Sequence, residues 1–217
     1  MERFSLGKKE AGPPQWESYR FESLFIAKFK RGEFLFVEGQ PIENVFLIKS
    51  GKTKVFLTGV EGRTLLVCFR AENSLLGEVE MILHSSAMSS IQAVTDVVCY
   101  AVSKEEFLKT AMRRSELMGQ IAWQLAERTR TNTYNMSANI LYGLEMRLCA
   151  YIEQTQNEGL FVDNLSALSD LLGTSYRHLH HTLHLLCEKG ILQKHEKGYR
   201  ILDMEALSKA AGGMYRL

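Results

Sequence analysis

Between Lys30 and Ser103 the apolar residues come in short runs, among them Glu33-Phe34-Leu35-Phe36-Val37, Val45-Phe46-Leu47-Ile48 and Val97 to Val102. Runs of this length, dense in β-branched and aromatic side chains, suit strands and are too short for helices. They are cut apart by Gly32, Gly39, Gly51, Gly59, Gly62 and Gly77, the residue type that turns a chain through positive φ without a Cβ clash. Many short strands with tight turns predict a sandwich, barrel or roll.

At Ser103 the period changes. Ser103 and Glu106 have the spacing of a capping box, so a short helix is expected to follow. From Glu116 to about Ala138 the chain holds no proline and one glycine, Gly119, which predicts a long helix. Met118, Ala122, Leu125, Thr129, Asn132 and Met136 alternate steps of four and three residues along it, as a coiled-coil seam does, and Ile121 broadens the upper part. Met118, Ile121, Ala122, Leu125 and Thr129 are therefore the expected dimer interface, with packing on the chain's own β-domain as the competing role of this stripe. The polar positions Thr129, Asn132 and Thr133 either set register or face a ligand. A hinge is expected near Ser137-Ala138-Asn139.

Beyond it, Leu141, Leu144, Leu148 and Tyr151 or Ile152 recur at helical spacing, and Gln154 to Gly159 forms a polar loop. Asp163-Asn164 offers an N-cap to a helix carrying Leu165, Leu168, Leu171 and Leu172, which Gly173 stops. Ser175 caps a second helix whose inward face is Leu179, Leu183 and Leu186. Two short helices joined in this way predict a helix-turn-helix, whose second helix enters the DNA major groove. Its outward face reads Tyr176, Arg177, His180, His181 and His184. Arg177 is the first candidate for base reading, because a guanidinium can bond guanine O6 and N7 together. Ser175 and Tyr176 suit phosphates at the helix start. Ile191 to Ile201 reads as a hairpin with Lys197-Gly198 at its tip, a wing from which Lys194, Lys197 and Tyr199 reach the DNA backbone.

Composition narrows the class. Of 217 residues, 46% are hydrophobic and 24% charged, and 26 basic against 25 acidic residues leave a net charge of +1, which excludes a disordered chain. No apolar stretch approaches the ~20 residues that cross a bilayer, and Met1 to Arg20 has no apolar core of a secretory signal, so a cytoplasmic protein without membrane partners is expected. Cys68, Cys99, Cys149 and Cys187 stand far apart in apolar settings, which predicts reduced core cysteines and no metal site. No G-x-S-x-G, H-E-x-x-H or P-loop is present, and no catalytic residue is expected. From Asn139 onward 4 Lys and 4 Arg face 3 Asp and 6 Glu, a net of −1 that gives phosphates little attraction. Five of the six histidines lie in this same segment: His178, His180, His181, His184 and His195. Protonated, they would make it strongly cationic.

The order of parts, together with Gly32, Gly39, Gly51 and the segment Gly77-Glu78-Val79-Glu80, resembles the cAMP receptor protein/FNR (Crp/Fnr) family of bacterial transcription regulators across nearly the whole chain. Leu171-Leu172-Gly173-Thr174-Ser175-Tyr176-Arg177-His178-Leu179 resembles the family's recognition region, especially in its YeiL-like branch. The resemblance implies an α+β protein: a double-stranded β-roll of the cyclic-nucleotide-binding jelly-roll type over residues 1–114, a dimerisation helix and hinge over 115–138, and a winged helix-turn-helix over 139–217. It further implies a homodimer on palindromic double-stranded DNA, contact with RNA polymerase, and a small-molecule effector in a pocket of Glu78, Ser89, Ser90, Arg128, Asn132 and Thr133. Two positions depart from the family. Glu80 stands in place of a glycine, and Met88 stands where cAMP-binding members carry the arginine that neutralises the phosphate. A buried phosphate needs such a cation, so cAMP in the familiar mode is not expected; either a different, unidentified effector binds, with Arg128 supplying the missing charge, or the pocket is empty or differently shaped. Oxygen sensing of the FNR type is not expected either, since no cysteine precedes Cys68. The competing reading is a ligand sensor whose near-neutral winged domain binds protein instead of DNA.

Overall fold

The computed structural model describes residues 2–5, 12–59 and 62–215. In chain order the elements are β1 Glu2–Ser5, a 3-10 helix Pro14–Tyr19, β2 Phe25–Phe29, β3 Phe34–Phe36, β4 Asn44–Ser50, β5 Thr53–Thr58, β6 Thr64–Arg70, β7 Leu75–Leu76, α1 Glu78–Leu83, β8 Ser90–Ala93, β9 Val97–Ser103, α2 Lys104–Ala111, α3 Ser115–Leu141, α4 Leu144–Thr155, β10 Leu160–Phe161, α5 Leu165–Leu171, α6 Tyr176–Glu188, β11 Leu192–His195, β12 Gly198–Ile201 and α7 Met204–Ala211. They form an N-terminal β-rich part, one long helix and a C-terminal helical part with a small sheet. The chain divides into two compact units, Met1–Val55 with Arg70–Thr131, and Phe56–Phe69 with Asn132–Leu217.

In the first unit, β1-β2-β9-β4-β7 make a five-stranded sheet; β3-β8-β5-β6 make a second sheet, whose β5 and β6 run across the boundary between units. Strand β4 is buried at four successive positions, Val45 to Ile48, which requires cover on both faces. On one face Phe46 meets Phe29 and, from the second sheet, Phe36, with ring centroids 5.6 and 5.4 Å apart. On the other, Ile26, Val45, Leu47, Tyr100 and Val102 pack with Phe107 of α2 and with Leu117 and Ile121 of α3. Gly51 is irreplaceable in this arrangement. Its φ is +94°, and a Cβ there would strike the Asp96 carbonyl oxygen.

Ser103 caps α2 as expected, accepting from the Glu106 N–H at 3.4 Å. Glu106 does not return the bond. Its carboxylate instead accepts from the Ser23 hydroxyl and from the backbone N–H groups of Glu22 and Ser23, the latter two at 2.6 and 2.9 Å, tying the chain before β2 to α2; partial burial pushes its pKa up, but these bonds together hold it below the usual range.

In the second unit α4 packs on α7, and β10-β12-β11 form a three-stranded sheet beside α6. The outer hairpin, Phe56–Phe69, is part of this unit. Phe69 lies 5.8 Å from the rings of both Tyr151 and Tyr215, and Asn139 Nδ2 donates to the Leu66 carbonyl at 3.0 Å while its Oδ1 accepts from Tyr215 Oη at 2.7 Å. The expected hinge at Ser137-Ala138-Asn139 is corrected here. Helix α3 continues unbroken to Leu141, with Ala138 buried and Asn139 bonded, and the helical run is interrupted only at Tyr142-Gly143.

Cys68, Cys99 and Cys149 are buried free thiols and Cys187 is half-buried. Burial pushes the Cys99 and Cys149 thiols up to about 12, so both stay protonated and unreactive near neutrality. Among the described residues no group of His, Cys, Asp and Glu is placed to hold a metal ion, and no helix is long and apolar enough to cross a membrane.

Candidate nucleic-acid interface and effector site

The helix pair is built by its caps and its leucines. Asn164 caps α5, its side chain accepting from Ser166 and Ala167 N–H at 3.0 and 3.2 Å, and Ser175 Oγ caps α6 by accepting from the His178 N–H at 3.2 Å. Between them Gly173 turns the chain at φ +60°. Arg147 of α4 donates to the Leu172 carbonyl at 2.6 Å, so the end of α5 is held from outside the motif. Leu179, Leu183 and Leu186 are fully buried, which forces the opposite face of α6 outward.

That face carries Tyr176, Arg177, His178, His180, His181 and His184, all exposed, with no acidic residue in its first turn. The Tyr176 and His180 rings stand 6.2 Å apart, and His184 Nδ1 lies 3.9 Å from Glu188 Oε1. Beside α6, strands β11 and β12 pair Lys194 with Tyr199 and His195 with Gly198, leaving Glu196 and Lys197 at the tip. Here Gly198 allows a close approach, since a Cβ would meet the Phe161 carbonyl of the neighbouring β10. Lys197 is exposed. Tyr199 is not: at 8% exposure its ring is part of the floor, and its expected backbone contact is corrected to a packing role. A cleft of about 510 Å³ separates helix and wing, lined by His180, His184, Cys187, Gln193, Lys194 and Tyr199 among others. Cys187 and Gln193 were not legible as site residues, because only the fold of the wing brings them to the helix.

In the first unit, Glu78 opens α1 directly after Gly77 and is fully buried. Arg128 of α3 forms an ion pair with Glu78 Oε1 and donates to the Leu75 carbonyl. Beyond Arg128, neither carboxylate oxygen meets a sound hydrogen-bond donor among the described residues, although its own backbone N–H favours the charged form. Desolvation dominates and raises the Glu78 pKa; Arg128 opposes the rise and the neighbouring Glu80 adds to it. Ser90 is buried with its Oγ accepting from the Glu38 N–H at 3.1 Å, and Glu80 accepts from the Met88 N–H at 3.1 Å. Ser89 is half-buried, and the Met88 side chain is exposed. The structure thus joins Glu78 to Arg128 and gives Ser90 a partner elsewhere. Asn132, half-buried, and Thr133, exposed, lie on α3 in the second unit.

Residues 26–114 match the cyclic nucleotide-binding domain family. Regulatory protein YeiL of Escherichia coli O157:H7 is 26% identical over 183 residues, 84% of this chain and 84% of that one. A CRP-like cAMP-activated global transcriptional regulator of Mycobacterium tuberculosis is 24% identical over 193 residues, 84% of this chain and 86% of its own. Together they span both the β-rich part and the helix-turn-helix. The chain is similar to regulators of the Crp/Fnr family over most of its length. Solved structures agree on the fold: a crp/fnr-family regulator from Eubacterium rectale superposes with a TM-score of 0.78 at 15% identity, covering 92% of this chain and 95% of that one. A CRP-family regulator from Thermus thermophilus gives 0.69 at 18% identity over 88% and 98%.

The two relatives and both structures named above are described as regulators. The long helix of this chain departs from expectation in register. Ile121, expected on the dimer seam, is 1% exposed in the core of its own β-roll, and Met118 and Leu125 pack partly against that core. The physical reason is that the roll offers the larger apolar side chains a nearer surface to bury against. Ala122 and Thr129 stay exposed. They belong to a stripe shifted by one position, Gly119, Ala122, Ala126, Thr129, Thr133, Met136 and Ile140, whose members are all exposed and alternate steps of three and four residues.

Proposed function

We propose that this chain is a sequence-specific DNA-binding transcriptional regulator that acts as a homodimer on a palindromic operator and contacts RNA polymerase there. One observation carries the reading. The second helix of a capped helix-turn-helix buries its leucines and turns Arg177, with Tyr176 and the histidines, into solvent at its first two turns, the part of such a helix that meets base edges. Arg177 reads a base, Ser175 and Tyr176 position the helix on phosphates, and Lys194 and Lys197 hold the flanking backbone. Two copies associate along the Gly119 to Ile140 stripe, where small residues let helices approach closely and Met136 and Ile140 supply the apolar area.

The β-roll biases this dimer between states of different DNA affinity through a small effector that is not a cyclic nucleotide bound in the usual manner. In support, Met88 supplies no charge to a phosphate and Arg128 is already engaged by Glu78 and Leu75. Selection from a random duplex pool tests the reading: it should enrich a palindrome, and Arg177→Ala should flatten the preference at one position per half-site, by about 1 to 3 kcal/mol, without changing the oligomeric state. Enrichment of no sequence would favour a protein-binding winged domain instead.

A further inference from the structure

The cleft between α6 and the wing has an unusual charge for a surface expected to meet phosphates. Among the described residues Arg177 is the one permanent cation on the exposed face of α6, whereas His180 and His184 look directly into the cleft and His181 lies exposed beside them. Across the cleft the wing contributes Lys194, and its remaining polar lining is Gln193, Cys187 and the largely buried Tyr199. On α6 itself, Tyr176 stands against His180 and Glu188 is 3.9 Å from His184. Of the other carboxylates in this part of the chain, Glu145 of α4 is engaged by Lys189 at 2.5 Å, Asp170 is exposed at the end of α5, and Glu196 sits at the wing tip beside Lys197. His178 and His195 are turned to local partners, Thr174 Oγ1 at 3.3 Å and the Lys197 N–H at 3.4 Å.

We propose that this cleft is a proton-gated phosphate site: His180 and His184, when protonated, join Lys194 in holding a backbone phosphate of duplex DNA. The inference rests on the DNA-binding reading above and adds its regulation. With the imidazoles neutral, the segment from Asn139 carries a net charge of −1 and binds duplex weakly. Each proton taken up adds one cation and the release of about one more counterion. Protons bound at the two rings therefore tighten the hold of the same dimer on DNA. By linkage, bound DNA must raise the proton affinity of the two rings.

The sequence-independent part of binding suffices for a test, so a mixed-sequence duplex of about three helical turns serves as the probe. Its affinity for the intact chain, measured by fluorescence anisotropy at constant ionic strength, should be about tenfold or more greater near pH 6 than near pH 8, with a salt dependence steeper by up to about two units of slope per bound subunit. A variant carrying His180→Gln and His184→Gln should lose most of the ratio between the affinities near pH 6 and near pH 8, whatever its affinity near pH 8. Histidine NMR titrations of the intact chain should show both rings binding protons more tightly when duplex is present. Binding that is tight but equal at both pH values, or a rise that survives in the double variant, overturns the phosphate site and leaves the DNA-binding reading standing. Absence of duplex binding at either pH removes both.

Discussion

Glu78 and Arg128 form a buried ion pair in the β-roll. A carboxylate with no exposed surface is costly to ionise, and Arg128 is what offsets that cost. Because the native pKa of Glu78 is raised, the folded protein binds the proton more tightly than the unfolded chain does. The stability so gained is fully present below the unfolded value and is lost as pH rises through the native one. Arg128→Ala leaves the charge unpaired, so it should lower stability by about 3 to 5 kcal/mol near pH 8 and by clearly less near pH 5, where Glu78 can take up a proton. Urea titrations at the two pH values measure this. An equal loss at both would mean that Arg128 acts through its bond to the Leu75 carbonyl alone. Such a pair was half legible in advance: the family resemblance put Glu78 and Arg128 in one pocket, but nothing in their spacing, fifty residues apart, showed that they pair with each other.

Among the elements, the β5–β6 hairpin is held within the C-terminal unit by the Phe69 ring as well as by the bond from Asn139 to the Leu66 carbonyl. Phe69 is 2% exposed and touches Tyr151 of α4 and Tyr215 beyond α7. Phe69→Ala should therefore cost about 3 to 5 kcal/mol, read as a lower urea midpoint, with faster amide exchange in both the hairpin and α4. Faster exchange confined to the hairpin would show that the ring contact contributes nothing to α4. Helix α3 shows why one element can be located in sequence and still be misread in its facing. A 3.6-residue period places several stripes on the same cylinder at almost the same spacing. The stripe through Met118 and Leu125 and the stripe through Ala126 and Thr133 differ by one residue, and choosing between them requires knowing that the roll covers Leu117 and Ile121.

For the whole molecule the exposed stripe makes a direct prediction. Ala122→Glu together with Ala126→Glu sets like charges against one another in a symmetric pair, and both positions face solvent in a single chain, so the monomer fold should persist. Sedimentation should show a monomer where the unaltered chain gives a dimer; a dimer that survives the two substitutions would place association on another surface. Local order was open to reading from the chain alone. Short glycine-bounded strands, the caps Ser103, Asn164 and Ser175, and the leucine face of α6 follow from backbone sterics and period, which act between residues a few positions apart. The outward side of the recognition helix followed from its inward one. What required tertiary structure were the pairings between residues distant in sequence: Arg128 with Glu78, Asn139 with the Leu66 carbonyl, Tyr199 beneath the wing, and the face that α3 leaves uncovered. Periodicity records that a side chain avoids water, and only the folded chain decides which surface it meets instead.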